Sequence, residues 1–423
     1  MQVRVRNKWL FFILFYIPFL AGSQEYDGLQ VDGRFLYDQC GEKVILRGMN
    51  AFIVYWDRDG SVHYPQIAKT GANCVRIFWQ TGHDPEPFMP PADLDKTIQN
   101  CLKNKMIPMP CLWDATGEPL GGEMWQKCLD YWTHPEVMAV LKKHQKFLIL
   151  NIANEVGQNN VTNQLFREEY KKAIDTLRNS GLHVPLVIDA SNWGRAERYI
   201  LDNAKYLIHA DPDRNLLFSW HPWDNNTSTT RVDQFFEQAK RDTIPIIVGE
   251  FSNTDVFGKA FAYPDIWRHI IERCHEYQNG YLPWWWSARD NEAIHQVTQD
   301  RLFGNWVNAP WGEEVVIGSE YSILNTSVRP KPLLGQACFS SVNETDSTQD
   351  VLIYPNPAKD AITIYIPPME RAVIQLFDAW GQLIGKRTGV STVQMDIGEE
   401  LSGIYILRVS FKGKQYHYKI IKQ

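Results

Sequence analysis

Two glutamates stand at the ends of apolar runs. Phe147 to Glu155 reads FLILNIANE, and Ile244 to Glu250 reads IPIIVGE. A short apolar run bounded by polar residues is the pattern of a strand buried on both faces. Each such strand would deliver a carboxylate to the mouth of the sheet it joins. Either Glu alone reads as easily as a solvated strand-end residue. Two carboxylates facing each other across a pocket are the minimum equipment for breaking a glycosidic bond.

The elements that would position the pair follow from the alternation of patterns before residue 340. Strand-like runs fall at Val44–Asn50, Cys74–Trp79, Ile107–Trp113, Phe147–Glu155, Pro185–Asp189, Leu216–His221, Ile244–Glu250 and Tyr281–Trp286. Helical patterns lie between them. In Asp93–Lys103, the residues Leu94, Ile98, Cys101 and Leu102 share a face behind an expected N-cap at Asp93. Phe166–Arg178 repeats the pattern and Gly181 would stop it. Eight strands alternating with helices predict an α/β fold, a (β/α)8 TIM barrel. Residues 29–43 predict a hairpin turning at Asp32-Gly33 and closing the barrel bottom. Barrel chemistry sits at the C-terminal strand ends. There the predicted strands place Arg76 on the second, Trp113 and Asp114 on the third, Asn154 on the fourth, His221 on the sixth and Trp286 on the eighth.

Beyond the barrel, SSVNETDSTQD (340–350) is polar and without apolar period, a linker. Residues 351–423 alternate with period two, as in Ile362, Ile364 and Ile366, between recurring glycines and prolines. They predict a small all-β sandwich with no acid–base pair of its own. At the other end, Arg4, Arg6 and Lys8 precede the apolar stretch Trp9–Leu20 and the small residues Ala21-Gly22-Ser23. That is the pattern of a secretory signal peptide over 1–23, with the mature chain starting near Gln24. The expected domains are thus 1–23 signal peptide, 24–340 barrel, 341–350 linker and 351–423 sandwich. No segment predicts a transmembrane span in the mature chain.

Composition narrows the partners. A net charge of −6, with no Lys/Arg cluster, argues against nucleic acid. Sixteen tryptophans exceed the needs of a core and suit clefts where pyranose C–H faces stack on indole. Seven cysteines lack metal-ligand spacing, so zinc is not expected; no EF-hand-like acidic loop marks a calcium site, which leaves calcium open, and no cofactor is expected. Cys74 and Cys111 fall in expected buried strands and read as inert core residues.

Residues 29–338 resemble glycoside hydrolase family 5 of clan A, and within it the bacterial β-1,4-mannanases of subfamily eight. The matching segments are ILRGMN (45–50), GANCVRIF (71–78), DATG (114–117), LNIANE (150–155), LRNSGL (177–182), DASNWG (189–194), FSWH (218–221), VGEF (248–251) and GYLPWWWS (280–287), with a late APWG at 309–312. The resemblance implies a retaining double displacement on a β-mannan or related β-1,4-linked polysaccharide. Glu155 would be the acid/base and Glu250 the nucleophile. Arg76 would hold Glu250 ionised, Asn154 would bind the sugar 2-hydroxyl, His221 would orient the acid and Trp286 would floor the cleft. Trp113, Asp114 and Trp223 complete the expected binding set. Two departures stand out: Trp113 replaces a usual His and Trp223 a usual Tyr. Residues 156–160 (VGQNN) also lack the Trp that often follows Asn-Glu. A β-1,4-glucanase and a weakened glycan-binding protein are the alternatives.

Residues 351–423 resemble the C-terminal sorting domain of the type IX secretion system of Bacteroidota, by YPNP (354–357), DAWGQL (378–383), LSGIYILRV (401–409) and KIIKQ (419–423). That resemblance implies the type IX machinery as a partner and a secreted or cell-surface location. A monomer is expected.

Overall fold

The computed structural model describes residues 27–82, 86–255, 257–286, 296–307, 310–336, 338, 351–366, 371–378, 381–411 and 414–423. The expected signal peptide, the linker at 341–350 and parts of the 280–287 and 309–312 segments lie outside the described residues.

The chain divides into two compact units after Gly335. The first opens with three short antiparallel strands, β1 (Gln30–Asp32), β2 (Phe35–Tyr37) and β3 (Lys43–Val44). Asp32 pairs with Phe35, so the turn is Gly33-Arg34, one residue later than expected, with Gly33 at φ +58°. Eight parallel strands follow in sequential order: β4 (Gly48–Ala51), β5 (Cys74–Trp79), β6 (Ile107–Leu112), β7 (Leu150–Asn151), β8 (Leu186–Asp189), β9 (Leu216–Trp220), β10 (Ile246–Val248) and β11 (Gly280–Tyr281). A parallel bridge between Arg47 and Tyr281 joins the two ends and closes the (β/α)8 barrel. The expected first run, Val44–Asn50, is split: Val44 belongs to the hairpin sheet and β4 begins at Gly48.

Helices α1 (His63–Ala68), α2 (Pro91–Lys103), α3 (Glu123–Thr133), α4 (Pro135–His144), α5 (Asn163–Asn179), α6 (Arg198–Ala210), α7 (Thr229–Arg241) and α8 (Ile266–Glu276) surround it. On α2 the buried Leu94, Thr97, Ile98 and Cys101 follow the period of one helical face. Its N-cap is Pro90 and not Asp93: Pro91 takes the first helical position, where its missing N–H costs nothing. On α5 the Thr162 hydroxyl accepts from the Leu165 N–H at 3.1 Å.

Strands buried on both faces leave two layers of core. One fills the space between barrel and helices. The other lies inside the barrel bottom, where Ile107, Met109, Val187, Leu217, Ile247 and their neighbours meet Leu29, Leu36 and Val44 of the hairpin. The hairpin therefore seals that end and leaves the C-terminal strand ends as the open mouth. Cys74, Cys101, Cys111, Cys128 and Cys274 are buried free thiols, whereas Cys40 and Cys338 are disulfide-bonded.

The second unit holds two antiparallel sheets. Strands β12 (Leu352–Tyr354), β13 (Ala361–Tyr365) and β16 (Thr392–Asp396) form one; β15 (Leu383–Val390), β14 (Arg371–Phe377), β17 (Gly403–Phe411) and β18 (Lys414–Lys422) form the other. Ile362, Ile364, Ile374, Leu376, Leu407 and Val409 are part of their shared core.

Candidate active site

The charged and amide groups at the barrel mouth converge on one side chain, Arg76 of β5. Its guanidinium is wholly buried, and each nitrogen is spoken for. Nη1 donates to Glu250 Oε1 at 2.6 Å and to Asn50 Oδ1 at 3.3 Å. Nη2 donates to Asn154 Oδ1 at 2.7 Å and Asp189 Oδ2 at 3.0 Å, and Nε to Asn151 Oδ1 at 2.8 Å. A buried charge is tolerable only when paired and fully hydrogen-bonded, and this one is both.

Glu155 lies four residues beyond the last residue of β7. Its backbone takes the left-handed region, φ +48°, rare for a residue with a side chain. Two bonds hold it there: its N–H donates to Asp189 Oδ2 at 3.1 Å, and its carbonyl accepts from Gly117 N at 3.1 Å. The side chain then meets His221, with Oε1 2.7 Å from Nδ1. His221 follows β9 directly and is wholly buried. Two glycines flank its ring. A Cβ on Gly194, itself at φ +70°, would fall 2.5 Å from Nδ1; one on Gly249 would fall 2.7 Å from Nε2. Any other residue at either place would drive the imidazole off the carboxyl. Glu250, two residues past β10, also accepts from Trp223 Nε1, through Oε2 at 3.0 Å.

Ligand atoms of Glu155, His221 and Glu250 all lie within 4.8 Å of one another. The two carboxyls have different surroundings. Glu155 is pushed well above the ordinary carboxylate range by burial, and further by the negative charges of Glu250 and Asp189. Glu250 is raised by burial to about 7, with Arg76 and the Trp223 N–H pulling it back. Arg76 thus favours the anion as expected, yet burial outweighs it in the net value. Glu250 accepts from a guanidinium and an indole N–H, whereas the Glu155 carboxyl meets the imidazole of His221. His221 is held neutral, by burial first and then by the Arg76 charge. The same trio has the composition of a metal site, but the Arg76 guanidinium already sits 2.6 Å from Glu250 and would repel a cation there.

Of the remaining predicted residues, Trp113 falls outside its strand, in a short 3-10 turn after Leu112. Its ring meets Phe52 edge-on at 5.0 Å and Phe78 at 5.2 Å, and stacks toward Trp284 at 6.2 Å. Trp284 also meets the Trp223 indole edge-on at 6.1 Å. From Phe52 the aromatic row continues through Tyr55 at 5.2 Å to Trp56, and both of these are exposed. Asp114 is turned elsewhere: Oδ2 accepts from the Thr81 N–H and anchors the loop after β5. Trp286 is fully buried, donating from Nε1 to the Arg301 carbonyl at 3.1 Å and meeting Trp306 edge-on. Trp284, not Trp286, borders the Trp113–Trp223 space.

Sequence reasoning passed over Asn50, Asn151, Asp189 and Ser219. Asp189 had a signal: it is the acidic terminus of an otherwise apolar strand, the same pattern that drew attention to Glu155 and Glu250. The asparagines had none, because a polar residue inside a strand run names no partner.

Comparison with known proteins agrees with this architecture. The family model described as cellulase, glycosyl hydrolase family 5, matches residues 37–292, and that of the secretion system C-terminal sorting domain matches 352–423. The chain is 28% identical over 301 residues to a mannan endo-1,4-beta-mannosidase of Salipaludibacillus agaradhaerens, covering 69% of this chain and 92% of that one. It is 28% identical over 327 residues to one of Cellvibrio japonicus (strain Ueda107), covering 76% and 73%. Among solved structures, the beta-mannanase from Thermomonospora fusca superposes with a TM-score of 0.65 at 26% identity, covering 73% of this chain and all of that one.

Proposed function

The chain belongs to glycosyl hydrolase family 5, a glycoside hydrolase with a type IX secretion sorting domain at its C-terminus, and on that premise we propose that it is an exported endo-β-1,4-mannanase acting with retention. The observation that carries the reading is the Glu155–Glu250 pair, closely spaced and differently partnered, Glu250 by Arg76 and the Trp223 N–H and Glu155 by His221. In inverting enzymes the carboxyls stand ~6.5–9.5 Å apart to admit a water, and in retaining ones about 5–5.5 Å. Ligand atoms within 4.8 Å suit retention.

Glu250 attacks the anomeric carbon while Glu155 protonates the departing glycosidic oxygen. The covalent glycosyl–enzyme then yields to a water deprotonated by Glu155. Arg76 and Trp223 hold the two Glu250 oxygens and favour the anion before attack. Asn154 has one N–H committed to Thr116 Oγ1 at 2.7 Å, and its second remains for the sugar 2-hydroxyl. Trp284 takes the platform role beside Trp223, with Trp113, Phe52, Tyr55 and Trp56 continuing the wall along which a polymer would lie. The substrate class follows the similarity to the two mannosidases. The expected domain limits, 24–340 for the hydrolase and 351–423 for the sorting domain, belong to this proposal.

The test is reducing-end release from glucomannan, galactomannan and carboxymethylcellulose by the barrel region and its Glu250→Ala variant. Glu250-dependent activity on the mannans supports the reading. Activity confined to carboxymethylcellulose moves it to a β-1,4-glucanase, and binding without turnover moves it to a glycan-binding protein.

A further inference from the structure

Asp189 ends β8 with no exposed surface, yet it touches both halves of the candidate machinery. Oδ2 accepts from Arg76 Nη2 at 3.0 Å and from the Glu155 N–H at 3.1 Å. Oδ1 accepts from Asn151 Nδ2 at 3.2 Å and stands 3.8 Å from His221 Nε2. Guanidinium, amide and carboxamide together form a donor set for an anion, which can only accept.

That anion also faces the imidazole of His221. At 3.8 Å from Nε2, its negative charge favours the imidazole N–H on that side, where Ser219 Oγ accepts it at 3.0 Å. A neutral imidazole has one N–H, and here it is at Nε2. Nδ1 then turns a lone pair on Glu155 Oε1 at 2.7 Å, a contact that requires the proton to be on the carboxyl. We propose that Asp189 is a positioning residue for the hydrolysis: through His221 it keeps Glu155 in its acid form, and through the Glu155 N–H it holds that residue in its left-handed backbone. The inference rests on the assignment of Glu155 as acid and Glu250 as nucleophile.

The groups facing Asp189 are Arg76 on β5, Cys111 on β6, Glu155 beyond β7, Tyr170 on α5, His221 after β9 and Glu250 after β10. Its negative charge raises both glutamates. Neutralising it lowers both, and it also removes the charge that favours the N–H at Nε2, so that Nδ1 can carry the N–H toward Glu155 and favour the ionised form.

The experiment is the pH profile of kcat/KM on soluble galactomannan for the full chain, Asp189→Asn and Ser219→Ala, with Glu155→Ala and Glu250→Ala as controls. D189N should move the whole bell to lower pH by about one unit. It should also cost about 10- to 100-fold in kcat as Glu155 loses its exact placement. S219A should lower the alkaline limb and leave the acid limb in place. A D189N bell that stays in place, with or without lost kcat, makes Asp189 scaffold alone and overturns the inference. If D189N does not fold, S219A decides: an unmoved alkaline limb overturns it equally. Full activity in the two glutamate controls would instead remove the assignment on which it rests.

Discussion

Replacing Trp223 by Phe isolates one hydrogen bond to the nucleophile. The indole N–H donates to Glu250 Oε2 at 3.0 Å, and both residues are buried. A bond to a charged acceptor contributes about 1.5–3 kcal/mol, and a buried acceptor left without it cannot turn to water. If the bond is held through the transition state, its loss costs about 10- to 150-fold in kcat/KM. The pH dependence carries a second signature. The N–H favours the anion, so removing it raises Glu250 above its present value of about 7. Below a raised pKa the nucleophile is protonated, so the acid limb moves to higher pH, by about one to two units for the same energy. Stopped assays on soluble galactomannan from pH 4 to 9 measure both. Trp223→Tyr, which keeps a donor, should lose less. W223F activity within threefold of the parent, with the acid limb in place, would refute the reasoning.

Glu155→Gln should raise thermal stability, and by more at pH 8 than at pH 4. Both glutamates have folded pKa values above the unfolded value of about 4.3, so the native state retains protons that the unfolded state releases, and stability falls as pH rises through that window. Equal melting shifts at the two pH values would contradict this. Trp284→Ala should reduce kcat/KM at least tenfold with the fold intact, whereas Trp286→Ala should lower the melting temperature by several degrees, through loss of a fully buried indole; kinetics beside a thermal melt separates them. Thiol reagent should leave Cys74, Cys101, Cys111, Cys128 and Cys274 unmodified in the native protein and label them after unfolding without reductant, as read by mass spectrometry of peptides.

The barrel was legible because strands covered on both faces must be apolar throughout, and eight such runs leave few arrangements. Their limits were less legible. The regular part of the fourth strand is Leu150–Asn151, and Ile152 and Ala153 continue the apolar run because the same core covers them. Glu155 turns left-handed because of Asp189 and Gly117, residues far away in sequence, and no local pattern encodes that bond. Trp286 and Trp284 show the same limit. Three adjacent tryptophans can be assigned to a wall, but which one borders the cleft depends on the twist of the segment after β11. Asn50 and Asn151 beside Arg76 were invisible for a related reason: a buried cation must find acceptors on neighbouring strands, and sequence does not say which residues supply them.

Arg76 has a consequence beyond the chemistry. From β5 it binds side chains on, or just past, β4, β6, β7, β8 and β10. One guanidinium therefore laces the open end of the barrel, where no hairpin seals it. Opening any one of those strands strips the cation of a partner in a dry interior, so the mouth resists fraying strand by strand. Loss of activity on heating then coincides with cooperative unfolding of the whole barrel and does not precede it as a separate softening of the mouth.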